Sequence, residues 1–355
     1  MYKKLFIPGP THVREEILQA QAVPMIGHRS KEYSDLQAAV TPKLQQLLYT
    51  TQPVFLFTSS STGAMEAAIR NCVGKKCLNT ICGEFSRRWH EITKANGKEC
   101  DVIEVPLGKA ILPEMIDEKL ATGEYDAVTV VHNETSTGVM NPIEEIAEVM
   151  KKYPDVMFLV DSVSSMAGVK IEFDRLGIDV LLAGVQKCFA LPPGLTVCAV
   201  SHKALKKAET VPYRGLYFDF IDMYKFYEKN QTPATPAISL IQALNKQMDD
   251  ILAEGLENRW ARHKAMAKYV QDWARKYWAL FSDERYLSLT VTNIVNTREV
   301  DIKALNDELG RRGAMISDGY GPLKGKCFRI AHMGDLTLDD LRWLTAQIED
   351  ILKLS

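Results

Sequence analysis

The sequence predicts an α/β protein: a large domain with a mostly parallel sheet covered by helices, followed by a smaller α+β C-terminal domain. Three observations carry this expectation. Short apolar runs alternate with helical patterns over residues 54–200. The pattern changes after about Pro236, where a long helical stretch begins. The length, 355 residues, fits about two domains at roughly 150 residues each.

The runs fall at 54–57, 78–82, 127–131, 156–160, 180–183 and 196–200. Each is continuously apolar rather than alternating, as expected of a strand buried on both faces. A helix is expected at 64–72, after a Ser/Thr/Gly cluster, and another at 143–152, after Pro142, a favoured first helical residue. The stretch 238–280 reads as helical with an interruption near Gly255 and Glu257-Asn258-Arg259. A strand at 288–296, a helix at 300–312, a strand at 327–331 and a helix at 337–352 complete the chain. The expected division is an N-terminal segment, 1–20, packing with the small domain, a large domain, 21–255, and a small domain, 256–355.

Hydrophobic residues make up 46% and charged residues 25%, an ordinary soluble mix that argues against extensive disorder. Lys+Arg number 43 against Asp+Glu 45, without the basic excess of a nucleic-acid binder. No apolar run approaches the roughly 18 residues of a membrane span. Only a three-residue apolar run precedes Pro8, so no secretion signal is expected. Lys353-Leu354-Ser355 has the wrong order for the peroxisomal address. A cytoplasmic enzyme is the expectation. The seven cysteines are scattered, and Cys72, Cys77 and Cys82 form no C-x-x-C. Buried thiols are expected rather than disulfides or a metal site.

Ligands of open α/β sheets bind beyond the carboxyl ends of the strands. Three such ends carry chemistry. After 54–57 comes Thr58-Ser59-Ser60-Ser61-Thr62-Gly63, a hydroxyl-rich turn into a helix. It suits a phosphate, although a plain N-cap also uses Ser or Thr. It lacks the Gly-Lys-Ser/Thr of an NTPase loop. After 156–160 comes Asp161, which suits a protonated ring nitrogen or a metal, or simply another N-cap. After 180–183 comes Lys187, ahead of Pro192-Pro193-Gly194. A lysine in apolar surroundings can serve as an amine nucleophile, whereas most lysines are solvated. In this order the three are what pyridoxal phosphate needs: a phosphate cradle, an acid for the pyridine nitrogen and a Schiff-base lysine.

The chain resembles the class V aminotransferases of pyridoxal-phosphate fold type I, and within them the alanine–glyoxylate and serine–pyruvate group. The matching segments are Pro8-Gly9-Pro10-Thr11, Gly27-His28-Arg29-Ser30, Ser60-Ser61-Thr62-Gly63-Ala64-Met65-Glu66, Asn133-Glu134-Thr135-Ser136-Thr137-Gly138, Val160-Asp161-Ser162-Val163, Gln186-Lys187, Pro192-Pro193-Gly194, Gln231-Thr232-Pro233-Ala234-Thr235-Pro236 and Phe328-Arg329-Ile330. The resemblance covers essentially the whole chain. It implies pyridoxal 5'-phosphate as cofactor and transfer of an amino group between alanine or serine and glyoxylate or pyruvate.

Residue by residue, the resemblance makes Lys187 the Schiff-base lysine and proton shuttle, and Asp161 the pyridine partner. Val163 and Phe85 become ring contacts and Thr135 the donor to the ring hydroxyl. Ser60, Ser61, Thr62 and Gln186 become phosphate contacts. Gln231 and Thr232 resemble residues that reach the neighbouring subunit's phosphate, which implies a homodimer with shared sites. Arg329 resembles the clamp on the substrate carboxylate, a planar fork suited to that group. His28 and Arg29 resemble the pair with which phosphoserine aminotransferases hold the substrate phosphate, so phosphoserine is an alternative substrate. A lyase of the cysteine-desulfurase kind is a further alternative on the same scaffold. The sequence departs from many relatives at Val185, where they have Ser, and in lacking a Gly inside the phosphate loop.

Overall fold

All six apolar runs are strands of one seven-stranded sheet in the computed structural model, which describes residues 3–354. The strand order is Val54–Phe57, Thr196–Val200, Val180–Gly184, Met157–Asp161, Ala127–Val131, Lys76–Ile81 and Glu99–Glu104. Thr196–Val200 is antiparallel to both of its neighbours, and the remaining strand pairs are parallel. The apolar runs are continuous because both faces are covered. Leu56, Val128, Val130, Phe158, Val160 and Leu181 pack into one buried cluster. Their neighbours in sequence Phe55, Phe57, Val131, Leu159 and Leu182 pack into another. This is the period-two alternation of a strand with a core on each side.

The seventh strand, Glu99–Glu104, is absent from the sequence expectation. It lies at the sheet edge, paired only with Lys76–Ile81, and its residues are half-buried or exposed. A polar edge strand carries no apolar run and resists pairing with other chains.

The stretch expected at 238–280 is two helices, Ile238–Glu254 and Leu256–Tyr277, separated at Gly255. Gly255 has φ +84°, a backbone state open to glycine and strained for other residues. A second sheet follows, with strand order Ala279–Leu280, Val291–Val295, Cys327–Ala331 and Ser317–Asp318. Ile294, Phe328 and Ile330 of this sheet pack with Met266, Val270 and Leu344 of flanking helices in a third apolar cluster. Phe6 joins that cluster, and Lys4–Leu5 pairs in parallel with Ala314–Met315. The N-terminal segment also reaches the large sheet, where the Thr11 N–H donates to the Gln186 carbonyl at 2.9 Å. Among the described residues no helix is long and apolar enough to cross a membrane.

Candidate active site

The carboxyl ends of the central strands converge. Asp161 closes its strand and registers with Val131 on one side and Leu182 on the other. Val185-Gln186-Lys187 follows directly after Val180–Gly184, and three residues separate Val54–Phe57 from the helix Ser61–Cys72. Ser60, Ser61, Thr62, Phe85, Thr135, Asp161, Val163, Gln186 and Lys187 line one cavity at this edge, together with Arg88.

Lys187 is only 6% exposed. Its Nζ donates to Thr135 Oγ1 and to Ser164 Oγ, both at 2.7 Å, and these two hydroxyls bond each other. Burial lowers the Lys187 pKa to about 8, against the pull of the Asp161 and Glu134 charges. Asp161 is also buried and accepts the Val163 N–H at 2.8 Å. Burial raises its carboxyl to about 6. Each charge is thus held in a site that only partly compensates it, as is common where groups await a ligand. Among the described residues the buried Ser61 hydroxyl has no hydrogen-bond partner, and Ser60, at the N-cap, makes no side-chain cap. Both hydroxyls and a positive helix end remain available to an anion.

Arg329 stands on the strand Cys327–Ala331 and is 6% exposed. Its guanidinium donates to the Thr135 carbonyl at 3.3 Å and to the Asp318 carbonyl at 3.1 Å. Among the described residues it has no carboxylate partner within ion-pair distance. Burial lowers its pKa to about 10. Lys187 and Arg329 are both hydrogen-bonded to Thr135, one to its hydroxyl and the other to its carbonyl. An amine and an unpaired guanidinium therefore flank one residue, the arrangement an amino acid requires.

Phe85 lies in the first turn of the helix Glu84–Ala95, its ring centroid 5.0 Å from Lys187 Nζ. The buried Glu134 holds that turn. Its carboxylate accepts the backbone N–H groups of Phe85 at 3.3 Å and Ser86 at 2.8 Å, and the Ser136 hydroxyl at 2.6 Å. A carboxylate at a helix N-terminus is favourably placed against the dipole. Sequence reasoning assigns a role to neither Glu134, which lies inside the segment 133–138, nor Ser164, which directly follows the segment 160–163. Gly9 and Tyr320 were missed as well. Gly9 has φ +130°, and a Cβ there would stand 3.1 Å from Lys187 Cγ, so glycine lets the N-terminal segment pack against the lysine stem. Tyr320 stacks on Phe85 at 5.2 Å and 26°.

Four expected residues stand apart from this cavity within one chain. Gln231 Nε2 donates to Ser34 Oγ at 3.4 Å. Thr232 donates to the Ala234 carbonyl at 2.7 Å and lines a separate cavity of about 250 Å³. The Arg29 guanidinium donates to the carbonyls of Thr232 at 2.6 Å and Pro233 at 2.8 Å, and His28 lies half-buried on the same turn. The physical reason is placement: these side chains bond within and between their own loops, and the Thr232 cavity borders Phe57 and Thr58 rather than Lys187.

Fold and site together define an α/β protein with a buried lysine in a cavity at the carboxyl edge of its sheet. The chain belongs to the class-V aminotransferase family, which it matches over residues 12–327, and it is a transaminase. It is 42% identical over 343 residues to an uncharacterised aminotransferase of Methanocaldococcus jannaschii, covering 94% of this chain and 88% of that one. It is 35% identical over 345 residues to an L-aspartate–glyoxylate aminotransferase of Paracoccus denitrificans, covering 94% and 87%. The crystal structure of an alanine–glyoxylate aminotransferase from Nostoc sp. superposes with a TM-score of 0.93 at 28% identity, covering 99% and 96%.

Proposed function

We propose that the protein uses pyridoxal 5'-phosphate to move an amino group between a small L-amino acid, alanine or serine, and glyoxylate or pyruvate. The observation that carries this is the pairing of Lys187 and Arg329 about Thr135. The chain's donor set fits the cofactor. Lys187 would hold its aldehyde carbon, Asp161 its ring nitrogen and Thr135 its ring hydroxyl. The unpartnered Ser61 hydroxyl, with Ser60, Thr62 and Gln186, would hold its phosphate, and Phe85 and Val163 would flank its ring. When bound, the cofactor supplies an electron sink for the pair left behind when the substrate Cα proton departs. Lys187 takes that proton, since a buried amine near neutral pKa is a competent base, and later returns it. Arg329 orients the substrate by its carboxylate with a bidentate fork. Thr135 and Ser164 hold the Lys187 amine by hydrogen bonds until it is needed.

The experiment is the half-reaction. The cofactor absorbance should convert on adding alanine or serine and reset with glyoxylate or pyruvate, and borohydride should trap the cofactor on Lys187. An unchanged spectrum with every amino donor would sink this reading.

A second reading is a dicarboxylic donor such as aspartate. Arg88 favours it: it lines the same cavity, lies 5.2 Å from the Phe85 ring centroid and has no carboxylate partner among the described residues. Aspartate belongs in the same donor panel. Phosphoserine gains less support, because Arg29 is engaged by backbone carbonyls within its own chain. A desulfurase is disfavoured because Cys188 and Cys327 are both buried, and burial raises their thiols to about 12 and about 11. That chemistry needs an exposed, mobile thiolate.

The reading includes a cytoplasmic homodimer with shared sites and a domain boundary near residue 255. Supporting the dimer, Leu216 is 81% exposed and Met25 70% exposed, and Thr232 lies off its own Lys187 cavity. Sedimentation at micromolar concentration tests it, with a monomer as the opposing result.

A further inference from the structure

We infer that Tyr320 is a specificity-determining residue that walls the space for the substrate side chain and restricts the amino donor to small side chains. This rests on the aminotransferase reading above.

Two charges fix a bound amino acid: the amine end at Lys187 and the carboxylate end at Arg329. What remains is the direction of the side chain. An aromatic pair borders the route between the two charges. Phe85 has its ring centroid 5.0 Å from Lys187 Nζ. Tyr320 has its ring centroid 5.5 Å from Arg329 Cζ. The two rings stack at 5.2 Å with 26° between their planes. An amino acid spanning Lys187 and Arg329 must therefore lie alongside this pair.

The two rings come from different parts of the fold. Phe85 comes from the first turn of a helix on the large sheet, pinned by Glu134. Tyr320 comes from the loop between the strands Ser317–Asp318 and Cys327–Ala331. That loop is tied down beside the guanidinium. The Asp318 carbonyl accepts Arg329 Nε, and Asp318 Oδ1 accepts the N–H groups of Gly319 at 2.7 Å and Gly325 at 2.9 Å. The backbone that carries Tyr320 is thus held, and its ring rests on Phe85. Tyr320 is nevertheless 38% exposed, so it stands at the surface beside Phe85 and Arg329 and not in the core. A large ring so placed sets the space left for the substrate β-carbon and whatever follows it. Methyl and hydroxymethyl groups fit beside such a wall, whereas longer apolar chains meet the ring.

The test measures half-reaction kcat/KM for alanine, serine, 2-aminobutyrate, norvaline and leucine in the holoenzymes of wild type, Tyr320→Phe and Tyr320→Ala. The expected result is that Tyr320→Ala raises the ratio of norvaline to alanine turnover at least tenfold. Tyr320→Phe, which keeps the ring, should leave the ratio within twofold of wild type. An equal loss for every donor with Tyr320→Ala would overturn the inference, since Tyr320 would then act only by steadying Arg329. An unchanged ratio would overturn it as well. Wild-type enzyme inert to every donor would instead remove the aminotransferase reading, so the two failures are distinct. Retention of the cofactor absorbance band in Tyr320→Ala checks that the site has kept its shape.

Discussion

Two buried arginines in this molecule live under opposite conditions. Arg259, 1% exposed, donates to the carbonyls of Ala167 at 2.6 Å and Cys188 at 2.7 Å and pairs with Glu254 at 2.9 Å. Asp335 lies 3.5 Å away, and Arg14 and Gln247 extend the same network. Arg329, nearly as buried, meets two carbonyls and no carboxylate among the described residues. Burying a charge is costly unless it is paired. Arg259 has what a structural ion requires, and Arg329 lacks the one partner a substrate carboxylate would bring. The Arg259 network also holds the backbone just beyond Lys187, through Cys188, and the end of the Asp161 segment, through Ala167. The satisfied charges thus position the unsatisfied ones.

Lys187→Ala should give the largest effect. Proton transfer and cofactor attachment are both lost, so turnover should fall by at least about 10⁴-fold. The apoprotein should keep or gain thermal stability, since a buried amine is removed. Calorimetry beside the half-reaction checks both, and a large drop in Tm would contradict the contrast drawn here.

The arginines themselves sharpen it. Arg259→Met should destabilise by about 3–5 kcal/mol, because two buried carbonyls lose their donor and two carboxylates lose a partner. Arg329→Met should leave denaturant stability within about 1 kcal/mol or improve it, yet raise the KM for the amino donor by about 100-fold, the worth of a charge-assisted carboxylate bond near 3 kcal/mol. Similar stability losses in both variants would erase the distinction.

Much of the site was legible from strand ends. Lys187, Asp161 and the Ser60-Ser61-Thr62 turn each follow an apolar run, and chain order alone brings such groups to one sheet edge. What was not legible depends on convergence of loops distant in sequence. Tyr320 sits in a loop rich in glycine, and nothing local says that its ring meets Phe85. Ser164 reads as one serine among several until its hydroxyl is found on Lys187 Nζ. Glu134 reads as a surface carboxylate until the helix start above it is seen. The strand Glu99–Glu104 escaped because an edge strand need not be apolar, and the reversed direction of Thr196–Val200 leaves no mark in its composition.

Asp161→Asn should move stability and binding in opposite directions. The folded state raises this carboxyl to about 6 from an ordinary value of 3.8, so between those values the folded apoprotein binds more protons than the unfolded chain. Its stability therefore falls as pH rises through that window, by roughly 3 kcal/mol. The asparagine variant should not show this fall and should be the more stable apoprotein at pH 7. Its affinity for pyridoxal phosphate should drop about 10- to 100-fold, since a bond to a charged group is worth about 1.5–3 kcal/mol. Urea titration across pH 4–7 and cofactor titration by absorbance measure the two effects.

The smallest effect concerns the lysine's own proton. Its pKa in the apoprotein is lowered to about 8, and only the neutral amine attacks an aldehyde. Capture of pyridoxal phosphate by apoprotein should therefore quicken with pH, close to tenfold per unit well below 8, and level off above it. Stopped-flow absorbance between pH 6 and 9 gives the profile. An inflection near 10.5 would mean an amine as solvated as a surface lysine, and the under-compensated environment contrasted with Arg259 would then not act on Lys187. In Asp161→Asn the inflection should move lower, because the carboxylate that favours the ammonium is gone. That shift would tie the two half-satisfied charges to each other and separate them from the Arg259 network behind.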